Sequence, residues 1–90
     1  MARLTDDEVH ARLQALTGWE RHGDAIRRTY KFGNFKDAMA FANRVAELAE
    51  AQDHHPDMLV QYGAVTLTLT SHDTGGLTAR DFRLAQTIDA

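Results

Sequence analysis

The sequence predicts an α+β fold: a four-stranded antiparallel sheet with helices packed on one face, in the order α-β-β-α-β-β-α. Three observations lead there. Residues 64–72 alternate, with Val65, Leu67 and Leu69 on one face and Thr66, Thr68, Thr70 and His72 on the other, as in a half-buried antiparallel strand. Residues 35–52 repeat apolar side chains every three and four positions, as in an amphipathic helix. Thr5-Asp6-Asp7-Glu8 and Thr78-Ala79-Arg80-Asp81 both have capping-box spacing, which opens one helix near each end of the chain.

The elements follow in order. Val9, Leu13 and Leu16 continue the first capping box at helical spacing, and Gly18 stops it, so a helix is predicted over 6–16. Two short strands, 19–22 and 25–32, flank the Gly23-Asp24 turn and make a hairpin. Ile26, Tyr30 and Phe32 share one face of the second strand; Arg28 sits among them as an exception. Asn34 is a possible N-cap for the long helix, whose alanine-rich face must pack on a sheet, another helix or a partner subunit. Pro56 disfavours helical geometry at His55, so this helix ends near Asp53. Residues 58–62 read as a third strand, with Gly63 as the turn into the fourth. After the loop 73–76, Phe82, Leu84, Ala85 and Ile88 mark the last helix.

Ninety residues make a single domain, 1–90, with a thin core and no cysteine to cross-link it; such chains often gain stability by oligomerising. The net charge is −3 with scattered Lys and Arg, which argues against direct nucleic-acid binding. No apolar run is long enough to cross a membrane, and the N-terminus is polar and acidic, so the expected compartment is the cytoplasm.

The residues suited to chemistry collect where the long helix stops. Glu50-Ala51-Gln52-Asp53-His54-His55-Pro56 presents a carboxylate and two adjacent imidazoles. Histidine titrates nearest neutral pH and suits acid/base work; the plain alternative is a pair that caps carbonyls or sits in solvent. Glu50, four residues before His54, would face that ring if the helix persisted, or else remain a solvated glutamate. A hairpin around Gly63 returns the end of the fourth strand to the start of the third, so His72 is expected to approach His55. Asp81 is a helix cap by position and also a candidate functional carboxylate. Contiguous His-His lacks the spacing that aims two rings at one ion, so no metal site is expected. Ser71 beside His72 is not a nucleophile arrangement.

Together Glu50, His54-His55-Pro56, Tyr62, His72 and Asp81 resemble the signature of the pterin-4a-carbinolamine dehydratases. Leu16-Thr17-Gly18-Trp19, Phe32-Gly33-Asn34-Phe35 and Gly76-Leu77-Thr78-Ala79-Arg80-Asp81 look like further family landmarks, so the likeness spans nearly the whole chain. The resemblance implies a hydro-lyase that removes water from 4a-hydroxytetrahydropterin to give quinonoid dihydropterin, recycling the pterin of aromatic amino acid hydroxylases without metal or organic cofactor. It implies that His54, His55 and His72 line the pterin site as acid/base and binding groups. Glu50 would orient His54, and Asp81 would position His72 or the ligand. Pro56 and Met58 would support the site or contact substrate; family members often carry an aromatic where Met58 stands, and a thioether keeps apolar contact without ring stacking. A homodimer or homotetramer is also implied. The alternative is a non-enzymatic dimerisation or transcriptional-cofactor module on the same fold, which would not need the full histidine set.

Overall fold

The computed structural model describes residues 2–90. Among them the order is α1 (Asp6–Leu13), β1 (Glu20–His22), β2 (Ala25–Lys31), α2 (Phe35–Gln52), β3 (Asp57–Gln61), β4 (Ala64–Leu69) and α3 (Ala79–Asp89), with a short 3-10 turn at His72–Thr74. The strands form one antiparallel sheet in the order β1-β2-β4-β3. The expected class and element order stand. No helix among the described residues is long and apolar enough to cross a membrane.

Both capping boxes form. The Glu8 N–H donates to Thr5 Oγ1 at 3.2 Å, and the Thr5 N–H donates to Glu8 Oε1 at 2.9 Å. α1 stops at Leu13, short of the expected 16, because the chain tightens there: Ala15 and Leu16 N–H groups reach back three residues, to Arg12 and Leu13. Gly18 then takes a left-handed φ of 84°, and Arg28 packs where a Cβ would sit.

Arg28, the exception on the apolar face of β2, has a specific partner. Its guanidinium donates to Thr17 O at 2.6 Å and to Asp89 Oδ2 at 3.1 Å, and it lies 4.5 Å above the Tyr30 ring. The alanine face of α2 is consumed within the chain: Ala38, Ala42, Val45 and Ala49 are buried with Val65, Leu67, Leu69 and the α3 residues Phe82, Leu84 and Ile88. Small side chains there let α2 lie close to the sheet, while the large residues of β4 and α3 supply the apolar area, each worth about 1.5–3 kcal/mol when fully buried.

Two boundaries around the corner of interest shift. β3 pairs Gln61 with Ala64, so Tyr62 and Gly63 form a two-residue turn and Tyr62 lies outside the strand. β4 ends at Leu69, and His72 is not at a strand end as expected but opens the 3-10 turn. The cause is a lack of partners. Ile26 is opposite Leu69 near the start of β2, and Asp57 is opposite Thr68 at the start of β3, so residues 70–72 run past both neighbours. The chain instead folds on itself through a Ser71–Gly76 bridge.

Candidate active site

The way α2 stops decides where the two imidazoles go. Asp53 adopts left-handed geometry (φ 49°, ψ 44°), and the His54 N–H returns to Ala49 O at 3.1 Å, closing the helix end. The chain then leaves extended toward Pro56, and adjacent side chains point to opposite sides. His54 turns inward and is 7% exposed; His55 turns outward.

Inside, His54 Nε2 lies 2.5 Å from Asp81 Oδ1, and Asp81 is fully buried. The other carboxylate oxygen accepts the Thr78 N–H and the Ser71 hydroxyl, each at 2.9 Å. A carboxylate only accepts, so the proton between Nε2 and Oδ1 belongs to His54. Among the described residues every buried side-chain nitrogen or oxygen has a partner. Among the described residues His54 Nδ1 has no hydrogen-bond partner, and it is therefore not fully enclosed. In the neutral ring that nitrogen carries the lone pair. The arrangement can take a proton from a group outside, and return one, from a single fixed atom.

Outside, His55 Nε2 contacts Glu50 Oε2 in a pair whose side chains are 57% and 75% exposed. This corrects the expectation that Glu50 orients His54. The left-handed turn at Asp53 ends the helix before the i,i+4 relation can reach position 54, and Glu50 meets the next ring instead. The expected pairing of Asp81 with His72 is likewise corrected: its side-chain partner among the histidines is His54.

His72 is exposed on the 3-10 turn. Arg80 of α3 clamps this turn by donating to Asp73 Oδ1 at 2.6 Å, and that hydrogen bond holds the Asp73 carboxyl below its ordinary range. Ser71, the chain neighbour of His72, shares Asp81 with His54. The helix exit and the His72 loop thus meet on one carboxylate, while His55 stands on the solvent side of the same corner.

Pro56 is half-buried at the start of β3. Met58 is 39% exposed, lies opposite Leu67 at the sheet edge, and lines a depression of about 280 Å³ with Arg27, Asp57, Leu59, Thr66 and Thr68. Tyr62 is 72% exposed at the far end of the β3–β4 hairpin, roughly 20 Å along the strand from His55 at about 3.3 Å per residue, and so stands apart from the histidines. Among the described residues no three His, Asp or Glu side chains converge as a metal-holding group.

Two features escaped sequence reasoning. Ser71 reaches ten residues forward to Asp81, and no spacing rule signals that. Asp89, in the last turn of α3, accepts from Trp19 Nε1 at 2.7 Å, Arg28 at 3.1 Å and Tyr30 Oη at 2.5 Å. Burial, with the Asp89 bond and charge, pushes the Tyr30 hydroxyl well above its usual range. The misplaced Arg28 was the available signal that an acid lay opposite it.

The sequence profile of the family described as pterin 4 alpha carbinolamine dehydratase matches residues 2–90. The chain belongs to that family. A Thermomicrobium roseum relative is 57% identical over 86 residues, covering 96% of this chain and 92% of its own; its name as a pterin-4-alpha-carbinolamine dehydratase is provisional. A Roseiflexus relative, provisionally named in the same way, is 53% identical and covers 97% of this chain and 94% of its own. Among solved structures, one described as a transcriptional coactivator/pterin dehydratase from Brucella melitensis superposes with a TM-score of 0.91 at 37% identity, covering 97% of this chain and 95% of that one. A pterin dehydratase-like RuBisCO assembly factor of the alpha-carboxysome shares the fold, with a TM-score of 0.67 at 23% identity over 80% of this chain and 86% of that one.

Proposed function

We propose that the protein removes water from a 4a-hydroxytetrahydropterin, using imidazoles as acid and base. Family membership supports the reaction class, and one observation in this chain supports the chemistry: His54 is held against buried Asp81 by Nε2, with Nδ1 left without a hydrogen-bond partner among the described residues. Dehydration breaks the C4a–O bond, delivers a proton to the departing oxygen and removes a proton from the pterin ring. One proton is gained and one lost, so no redox partner is required. His54 is placed to exchange one of these protons at Nδ1, and the exposed His55 and His72 are the candidates for the other and for holding the ring. Each positioned acid or base is worth roughly 10²–10⁴-fold.

The test is the rate of 4a-hydroxytetrahydropterin dehydration with purified protein. His54→Ala and His72→Ala are each expected to slow it severely. Full activity in both variants overturns the assignment. Recycling of the pterin of aromatic amino acid hydroxylases, in the cytoplasm, belongs to the same reading.

A homo-oligomer also belongs to it. β3 closes the sheet with an unpaired edge and exposes Leu59 at 57% beside Met58, a surface that favours a partner. Light scattering is expected to give a mass that is a multiple of 10.1 kDa; a monomer would count against it.

A further inference from the structure

We propose that Ser71 and Thr78 are positioning residues for this reaction: their hydroxyls fix the Asp81 carboxylate and, through it, the nitrogen that His54 turns to the substrate. The proposal deepens the dehydratase reading and rests on it.

Both residues are buried. Ser71 Oγ lies 2.9 Å from Asp81 Oδ2 and 2.8 Å from Thr78 Oγ1. The directions follow by elimination. Asp81 only accepts, so the Ser71 proton goes to it. The Ser71 oxygen then accepts the Thr78 proton. Thr78 Oγ1 in turn accepts the Arg80 N–H at 3.2 Å. Every hydroxyl in the chain has one orientation, and such chains strengthen their members mutually.

A helix cap alone does not need Ser71. The Thr78 N–H to Asp81 bond completes the capping box without it, and a buried hydroxyl with no further duty is costly compared with alanine. What Ser71 adds is a second donor on Oδ2. With both donors on that oxygen, the carboxylate plane is fixed and Oδ1 is left to His54 alone. The same chain continues from Thr78 through Arg80 to Asp73, beside His72, so the His54 and His72 sides are held as one unit.

The experiment compares wild type, Ser71→Ala and Ser71→Thr, with ¹⁵N-labelled histidine. Wild-type His54 is expected to show a single tautomer protonated on Nε2. Ser71→Ala is expected to leave the proton on Nε2, which still faces a carboxylate, but to shift and broaden the His54 nitrogen signals as the carboxylate plane loosens, and to lower kcat roughly tenfold with KM within about twofold, the signature of one lost orienting hydrogen bond. Ser71→Thr, which keeps the hydroxyl, is expected to recover both. A wild-type nitrogen signature in Ser71→Ala, or no recovery in Ser71→Thr, overturns the proposal. If Ser71→Ala does not fold, wild type decides: a slowly exchanging Ser71 hydroxyl proton close to Thr78 supports the chain, and a freely exchanging one overturns it. If wild type shows no dehydration, the dehydratase reading fails, while the nitrogen signature still reports on Ser71.

Discussion

Replacing Asp81 by asparagine changes almost no volume and reverses one hydrogen bond. The carboxylate now accepts from Thr78 N–H and Ser71 on Oδ2 and from His54 on Oδ1. An amide has one accepting oxygen. If that oxygen keeps the Thr78 and Ser71 donors, the NH₂ faces His54 Nε2, which must then accept. The His54 proton moves to Nδ1, and the lone pair on that nitrogen is lost. Asp81→Asn is therefore expected to lower kcat by roughly 10²–10⁴-fold, the value of a positioned acid or base. Stability changes much less. Three charge-assisted bonds become neutral ones, about 2 kcal/mol in all, or roughly 10 °C in Tm for a chain of this size. The assays are dehydration kinetics, thermal unfolding and the ¹⁵N shifts of His54, which should show Nδ1 protonated. A folded Asp81→Asn protein with wild-type kcat would refute the reasoning.

Other expectations follow from the same geometry. Glu50→Gln touches only an exposed pair with His55, so urea unfolding should move by less than about 0.5 kcal/mol and the His54 nitrogen signature should not change; a changed signature would return Glu50 to His54. At Asp53 the left-handed backbone favours glycine, so Asp53→Gly should be more stable than Asp53→Ala by about 1 kcal/mol in urea titration. For Tyr30 the folded state raises the pKa above the ordinary 10.0. Its contribution is present below pH 10 and fades as pH rises further, because the unfolded chain releases a proton that the folded one keeps. Wild type should therefore lose stability more steeply above pH 10 than Tyr30→Phe, measured by urea midpoints at stepped pH.

Much of the fold was legible because its determinants are local. Capping boxes at Thr5 and Thr78, the apolar period of 35–52 and the alternation in 64–69 each report on backbone within a few residues, and each formed. Glu50, His54, His55, His72 and Asp81 were also legible, as residue types able to move or hold protons. Their pairing was not. A spacing of four suggested Glu50 with His54, but the left-handed turn at Asp53 gave Glu50 to His55 and sent His54 inward to Asp81. Alternation carried the fourth strand to His72, but pairing needs a neighbour, and the pairing of β4 with β2 and β3 stops at Leu69 and Thr68. By itself the sequence determined which elements form and which proton-carrying residue types the chain holds. Only the tertiary structure decided that the α2 exit, the Ser71 loop and the α3 cap share one buried carboxylate, because an uncompensated carboxylate cannot be buried and its donors had to come from wherever the packed chain placed them.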